Sequence, residues 1–95
     1  MRYIHEYGVE LENLLRKAAK DKALLHDFLF DILSPAEYKD LAVRWQIALL
    51  LQKGVSQRDI ARNLKVSIST VTRGSREMMN KKGGFAKVLK KYKLN

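Results

Sequence analysis

The 95 residues are enough for one small domain with a modest core, and the absence of cysteine excludes disulfides and thiolate metal sites. No apolar run approaches the length of a membrane span and the N-terminus lacks a signal-peptide core, so we expect a cytoplasmic protein without a membrane partner. The net charge of +9 makes a polyanion the simplest partner, a basic surface kept for solubility being the alternative.

Two helices are predicted in the N-terminal third, after a loose arm over residues 1–8. Leu11, Leu14, Leu15 and Ala18 indicate a first amphipathic helix from Val9 to about Asp21. The apolar residues of the second helix lie on several of its sides: Leu24, Leu25, Phe28, Leu29, Phe30, Ile32 and Leu33. So small a protein cannot bury such a helix in its own core. The pattern therefore predicts an intimate homodimer.

The longest predicted helix opens at Ser34-Pro35-Ala36-Glu37. Serine at the N-cap, proline at the first helical position and glutamate three residues after the serine form a capping box. An apolar run follows, and Gly54 is suited to a left-handed C-cap. Arg44 lies within this apolar helix beside the lone Trp45, and on its own it most simply extends to water.

A helix-turn-helix is predicted over about residues 56–79. Ser56 is placed to cap the first helix, with Asp59 at capping-box spacing, and Ser67 to cap the second. Apolar residues at helical spacing would join the two helices: Ile60, Ala61, Leu64, Val66 and Val71. An ordinary pair of amphipathic helices would give a similar pattern. The surrounding charge favours the motif, since residues 34–95 hold fourteen Lys/Arg against four Asp/Glu, whereas residues 1–33 hold five against six.

The exposed face of the second motif helix should carry short polar donors and Arg73, which suit phosphates and base edges better than a protein core. In such a motif this helix is offered to the major groove of DNA. The residues that we expect to face DNA are Gln57, Arg58, Ala61, Ser67, Ile68, Ser69, Thr70 and Thr72.

The C-terminal segment predicts one further short helix after the break at Asn80–Gly84. Phe85, Val88, Leu89 and Tyr92 lie on one side and Lys87, Lys90, Lys91 and Lys93 on the other. We expect the apolar side to pack into the dimer and the lysines to face solvent or phosphate. His5 and His26 are the only histidines, and neither a phosphate loop nor metal-ligand spacing is present, so neither an enzyme nor a metal site is expected.

The sequence resembles the tryptophan-responsive Trp repressors of bacteria in the segments LSPAEYKDLAVRWQI, SQRDIARNL and VSISTVTRGS. The resemblance implies an all-α single domain over residues 1–95, with six helices per subunit in an intertwined homodimer. It also implies a transcriptional repressor of a double-stranded DNA operator, activated by L-tryptophan as corepressor. The ligand would push apart the two reading heads, which are the helix-turn-helix regions of the two subunits, so that their spacing matches successive major grooves about 34 Å apart.

In this family the ligand lies between the long helix and the second motif helix, its indole between two arginines. By position these are Arg44 and Arg73, whose guanidinium planes suit aromatic faces and a carboxylate. Ser34 stands where the family has a threonine near the ligand's amino group. Thr70 corresponds to a pocket-lining threonine, and Gly74 would leave room beside the indole.

Two positions depart from the family pattern. The link Gly54-Val55-Ser56 is one residue shorter, which bears on the tilt of the reading heads. Glu77 stands where the family has a serine that helps to hold the ligand. Four residues after Arg73, Glu77 could form an ion pair that fixes this arginine or competes for it, or it could accept from the ligand's ammonium group.

Three other functions compete with a tryptophan-activated repressor. One is a repressor of the same type that responds to a different small ligand. Another is a ligand-independent DNA-binding module, either replication-initiator-like or nucleoid-associated. The last is a protein-interaction domain whose basic face is incidental.

Overall fold

The computed structural model describes residues 2–92, with side chains from Ile4 onwards. It contains six helices: α1 (Arg2–Ala18), α2 (Lys22–Ile32), α3 (Pro35–Gln52), α4 (Gln57–Leu64), α5 (Ile68–Met78) and α6 (Gly84–Tyr92). Residues 2–92 include no strand, and the predicted all-α, six-helix fold is confirmed. The chain divides after Tyr38 into two compact units. The single-domain organisation stays a prediction.

The predicted loose arm is wrong for residues 2–8, which form the first turns of α1; Met1 lies outside the described residues. Ile4, Tyr7, Leu11 and Leu14 recur at intervals of three and four, the period of a helix. Gly8 lies within this stretch, and although glycine is a weak helix former it does not end the helix. The helix ends at Ala18, earlier than predicted, because Asp21 caps α2 by accepting a hydrogen bond from the Leu24 N–H at 3.2 Å.

The first unit has almost no core of its own. Ala18 is its only buried hydrophobic residue among the side chains described in residues 4–38, and α2 buries none. Leu24 is 55% exposed, and Phe30 and Ile32 are each about half exposed. The ring of Phe30 lies 4.5 Å from both the His26 and the Tyr38 rings, between centroids. This unit therefore presents apolar surface on more than one side of α2, as its sequence predicted.

Both predicted ends of α3 are confirmed. The Glu37 N–H donates to Ser34 Oγ at 3.1 Å, and the Ser34 N–H donates to Glu37 Oε1 at 2.8 Å. These bonds with Ser34 lower the pKa of Glu37 below its ordinary value of 4.5. The capping box therefore stabilises the fold above that value and loses its contribution as the pH falls through the lowered pKa. At the other end, Gly54 takes a φ of 83° and closes a Schellman turn.

The core of the second unit is formed by one residue from each of three helices. Ile47 from α3, Ile60 from α4 and Val71 from α5 are at most 2% exposed. Partly buried side chains surround them: Val43, Leu50, Leu51, Val55, Ala61, Leu64 and Val66. The two helices of the motif are thereby packed onto the C-terminal half of α3.

Gly74 is the point at which α5 packs most closely on α3. It is buried, and a Cβ atom placed on it would lie 2.8 Å from Ile47 Cγ2. Ile47 is itself buried and branched at Cβ, so it has little freedom to move away. A side chain at position 74 would force the two helices apart.

The C-terminal helix packs on α5 and on the middle of α3. Leu89 is buried, and the Phe85 ring stacks on Trp45 at 6.2 Å between centroids, with 20° between the ring planes. Beside this pair lies an open apolar groove of about 580 Å³, lined by Trp45, Gly84, Phe85 and Val88. Val88 and Tyr92 remain exposed, so only part of the predicted apolar side of α6 is covered within this unit.

Gly74→Ala should lower the free energy of unfolding by about 1–3 kcal/mol, the usual cost of overpacking a tight core. Gly8→Ala is the matched control, because Gly8 also lies inside a helix but a Cβ atom placed on it would meet no other atom within 4 Å. Chemical denaturation of both variants measures the difference. Equal stabilities would show that the contact of Gly74 with Ile47 is not constraining.

Candidate nucleic-acid interface and ligand site

The helix-turn-helix has the predicted boundaries and caps. The Asp59 N–H donates to Ser56 Oγ at 3.1 Å, and the Thr70 N–H donates to Ser67 Oγ at 3.2 Å. Between the helices, Lys65 adopts a left-handed conformation with a φ of 57°, and the Val66 N–H closes the turn on the Ala61 carbonyl. A lysine thus occupies a position that most often belongs to glycine.

The N-terminus of α5 carries a cluster of hydroxyl groups. Ser67 Oγ lies 3.0 Å from Ser69 Oγ and 2.8 Å from Thr70 Oγ1. Ser67 and Ser69 are exposed, Thr70 is half-buried, and the apolar Ile68 beside them is 56% exposed. Hydroxyls and free N–H groups at the start of a helix are suited to an anion such as phosphate.

Gln57 and Thr72, both predicted to face DNA, are joined to each other. Thr72 Oγ1 lies 2.9 Å from Gln57 Oε1 and also 2.9 Å from the Ile68 carbonyl oxygen. Both side chains are half-buried. No sequence pattern indicates this bond, since the two residues are fifteen positions apart and meet only when α5 crosses α4.

The other predicted DNA-facing residues of α4 differ in their surroundings. Arg58 is exposed, whereas Ala61 is half-buried and packs against the core. Arg62, which the sequence patterns did not single out, is exposed and pairs with Asp59 at 3.3 Å, a contact that the i,i+3 spacing could have indicated. Of the three predicted DNA-facing residues on α4, Arg58 is therefore the one whose side chain is exposed.

Exposed lysines follow the motif. Lys81, Lys82, Lys87, Lys90 and Lys91 are all exposed, and residues 78–92 contain no acidic residue. Lys93 lies outside the described residues. This positive charge belongs to the same unit as the helix-turn-helix, and no carboxylate within the segment offsets it.

The predicted ligand residues lie around the crossing of α3 and α5, with one exception. Arg44 is one turn before Ile47, Arg73 directly precedes Gly74, and both arginines are exposed. Thr70 and Glu77 lie on α5 four residues before and three after Gly74, at the spacing of one helical face. The exception is Ser34, which belongs to the first unit and whose Oγ accepts the capping bond from Glu37.

Two details of this region bear on the predicted roles. The space beside Gly74 is occupied by the Ile47 methyl group. In the described part of the chain, Glu77 and Arg73 do not form the ion pair that their spacing allowed, and both side chains are exposed.

Membrane spans and metal clusters are both absent from residues 2–92. None of the six helices has both the length and the apolar character needed to cross a membrane. This part of the chain also contains no group of three or more His, Cys, Asp or Glu side chains that could hold a metal ion.

Six helices, with a capped helix-turn-helix packed on the longest of them, define the class of all-helical helix-turn-helix proteins. Within that class the chain belongs to the Trp repressor family, because the family model described as "Trp repressor protein" matches residues 10–93. The predicted family is therefore confirmed.

Similar proteins from several bacteria carry the name "Trp operon repressor homolog". That of Chlamydia trachomatis serovar L2 is 38% identical over 79 residues, which are 82% of this chain and 83% of the relative. That of Mannheimia succiniciproducens is 39% identical over 67 residues, 70% of this chain and 66% of the relative. That of Actinobacillus succinogenes is 48% identical over 50 residues, 52% of this chain and half of the relative's length. No solved structure gives a significant match.

Proposed function

We propose that the protein is a homodimeric, sequence-specific DNA-binding repressor that acts in the cytoplasm with L-tryptophan as corepressor. The observation that carries the DNA-binding part is the exposed, hydroxyl-rich start of α5 on a helix-turn-helix of intact geometry. Membership of the Trp repressor family supports the regulatory role.

Electrostatics support a nucleic-acid partner. Lysines that neutralise phosphates release condensed counterions, which gives affinity without regard to sequence. The lysines of residues 81–91 suit this role, whereas the exposed side chain of Arg58 suits the reading of a guanine edge. The two kinds of contact should therefore respond differently to mutation.

Arg58→Ala should cost about 1–3 kcal/mol on a preferred duplex and much less on random DNA, if Arg58 reads a guanine. Lys90→Ala should weaken binding to both duplexes alike and reduce the slope of log K against log salt by about 0.9. Lys20→Ala, an exposed change in the first unit, is the control for charge alone. Fluorescence anisotropy over a range of salt concentrations measures all three, and equal losses on both duplexes for Arg58→Ala would exclude base reading by that residue.

Assembly is supported by the surface that a single chain leaves uncovered. The first unit buries little, and the second has an open apolar groove at Trp45 and Phe85. Contiguous apolar surface of this kind marks interfaces in soluble proteins. A second copy of the chain supplies matching apolar side chains, notably those of α2.

Sedimentation at micromolar concentration should give about twice the chain mass of 11.0 kDa. Leu24→Lys should shift the protein towards monomer or unfolded chain, because it places a charge in the apolar surface of α2. Ile68→Lys is the matched control, since Ile68 is 56% exposed against 55% for Leu24 but lies on the motif. A well-folded monomer of the unmutated protein at this concentration would contradict the dimer.

We propose the crossing of α3 and α5 as the corepressor site. Arg44 and Arg73 flank the crossing from the two helices, and their exposed guanidinium groups are available to stack on an indole or pair with a carboxylate. Because Glu77 is not paired with Arg73, its carboxylate is available to accept from the ligand's ammonium group.

Arg44→Leu and Arg73→Leu should each abolish tryptophan binding while the dimer stays folded, because leucine keeps apolar bulk and removes only the guanidinium. Arg62→Leu, which removes an exposed arginine of α4 and leaves both helices of the crossing intact, should leave binding unchanged. Glu77→Ser should weaken binding by about 1–3 kcal/mol, the value of a charge-assisted hydrogen bond. Calorimetry measures each, and tighter binding by Glu77→Ser would show that Glu77 competes with the ligand instead.

A ligand-independent DNA-binding module is the second candidate. It is favoured by the Ile47 methyl group, which occupies the space beside Gly74 that the family resemblance assigns to the indole. DNA affinity that is indifferent to added tryptophan, together with no heat of tryptophan binding, would establish this function in place of the first.

A further inference from the structure

We infer that Thr72 is a positioning residue for Gln57: its hydroxyl group holds the Gln57 amide in one orientation, in which the amide donates to DNA. This rests on the proposed DNA-binding function and deepens it. The observation is the pair of 2.9 Å contacts from Thr72 Oγ1 to Gln57 Oε1 and to the Ile68 carbonyl oxygen.

The bond connects the two helices of the motif, which must keep a fixed relative position if both are to contact DNA. Gln57 is the first residue of α4, and Thr72 lies in the middle of α5. The contact from Thr72 to the Ile68 carbonyl is a local bond within α5, one turn back. Because the hydroxyl group has a single hydrogen, its two acceptors share it, and this shared hydrogen joins a side chain of α4 to the backbone of α5.

The orientation of the amide decides what Gln57 can recognise. Its oxygen is directed at Thr72, so the NH₂ group of the amide is left to donate elsewhere. A donor fits a phosphate oxygen or the N7 and O6 acceptors of guanine. It does not fit the two-bond pairing of glutamine with adenine, which uses the amide oxygen as well.

Fixing this side chain before DNA arrives also favours binding. A glutamine side chain that rotates freely loses rotamer freedom when it contacts DNA, and that loss of entropy reduces the affinity. Gln57 is half-buried and already bonded, so much of this loss is incurred on folding. Removing the bond to Thr72 should therefore weaken DNA binding, even though no contact between DNA and the hydroxyl group of Thr72 is required.

A double-mutant cycle on the protein tests the inference, with a duplex selected from a random pool by the unmutated protein. Thr72→Val should weaken binding about 3- to 10-fold, the range expected for one side chain that must be ordered again. Thr72→Ser, which restores the hydroxyl group, should bind nearly as the unmutated protein does. In a Gln57→Ala background, Thr72→Val should have no further effect.

Additive losses from Thr72→Val and Gln57→Ala would overturn the inference, because they would mean that Thr72 acts on DNA directly. Thermal unfolding of each variant separates these losses from reduced stability. A second measurement does not require DNA: Thr72→Val should increase the mobility of the Gln57 side-chain amide in NMR relaxation. Unchanged mobility would also overturn the inference, whereas failure of the unmutated protein to bind any duplex would reject only the proposed function.

Discussion

Contact between Ile47, Ile60 and Val71 determines the geometry of the second unit. Each side chain comes from a different helix and is almost fully buried, which is worth about 1.5–3 kcal/mol per side chain of this size. All three are branched at Cβ and have few rotamers, so the contact fixes the helix crossings as well as stabilising them. This contact sets the position of α5 on α3 and α4, and therefore the position of its exposed polar face. The bond between Gln57 and Thr72 depends on the same packing.

The second unit combines two kinds of surface that the first unit lacks. Its hydroxyl cluster at Ser67, Ser69 and Thr70 is local and directional, whereas the charge of the following lysines acts over a longer range and is screened by salt. The first unit carries a near-neutral balance of charge and an uncovered apolar surface. Groups suited to a polyanion thus lie in the second unit, whereas apolar surface suited to an interface lies in both units.

The sequence predicted best those features that depend on near neighbours. The serine caps at positions 34, 56 and 67, the left-handed Gly54 and the break before α6 each follow from residues within a few positions of one another. The start of α1 was missed, because Ile4 and Tyr7 form a helical stripe that is mostly exposed and extends past Gly8. The bond from Thr72 to Gln57 and the Ile47 methyl group beside Gly74 were missed for another reason: both arise from helix crossings, which one-dimensional spacing does not specify.

At Lys65, which has a left-handed backbone conformation, the stability of the turn and the positive charge of the motif favour different residues. A non-glycine residue in this conformation costs about 1–2 kcal/mol, and part of that is offset because a cation at the C-terminus of α4 faces the negative end of the helix dipole. Glycine would relieve the strain and remove a positive charge from the tip of the motif. Stability of the turn and attraction to a polyanion therefore favour different residues at this position.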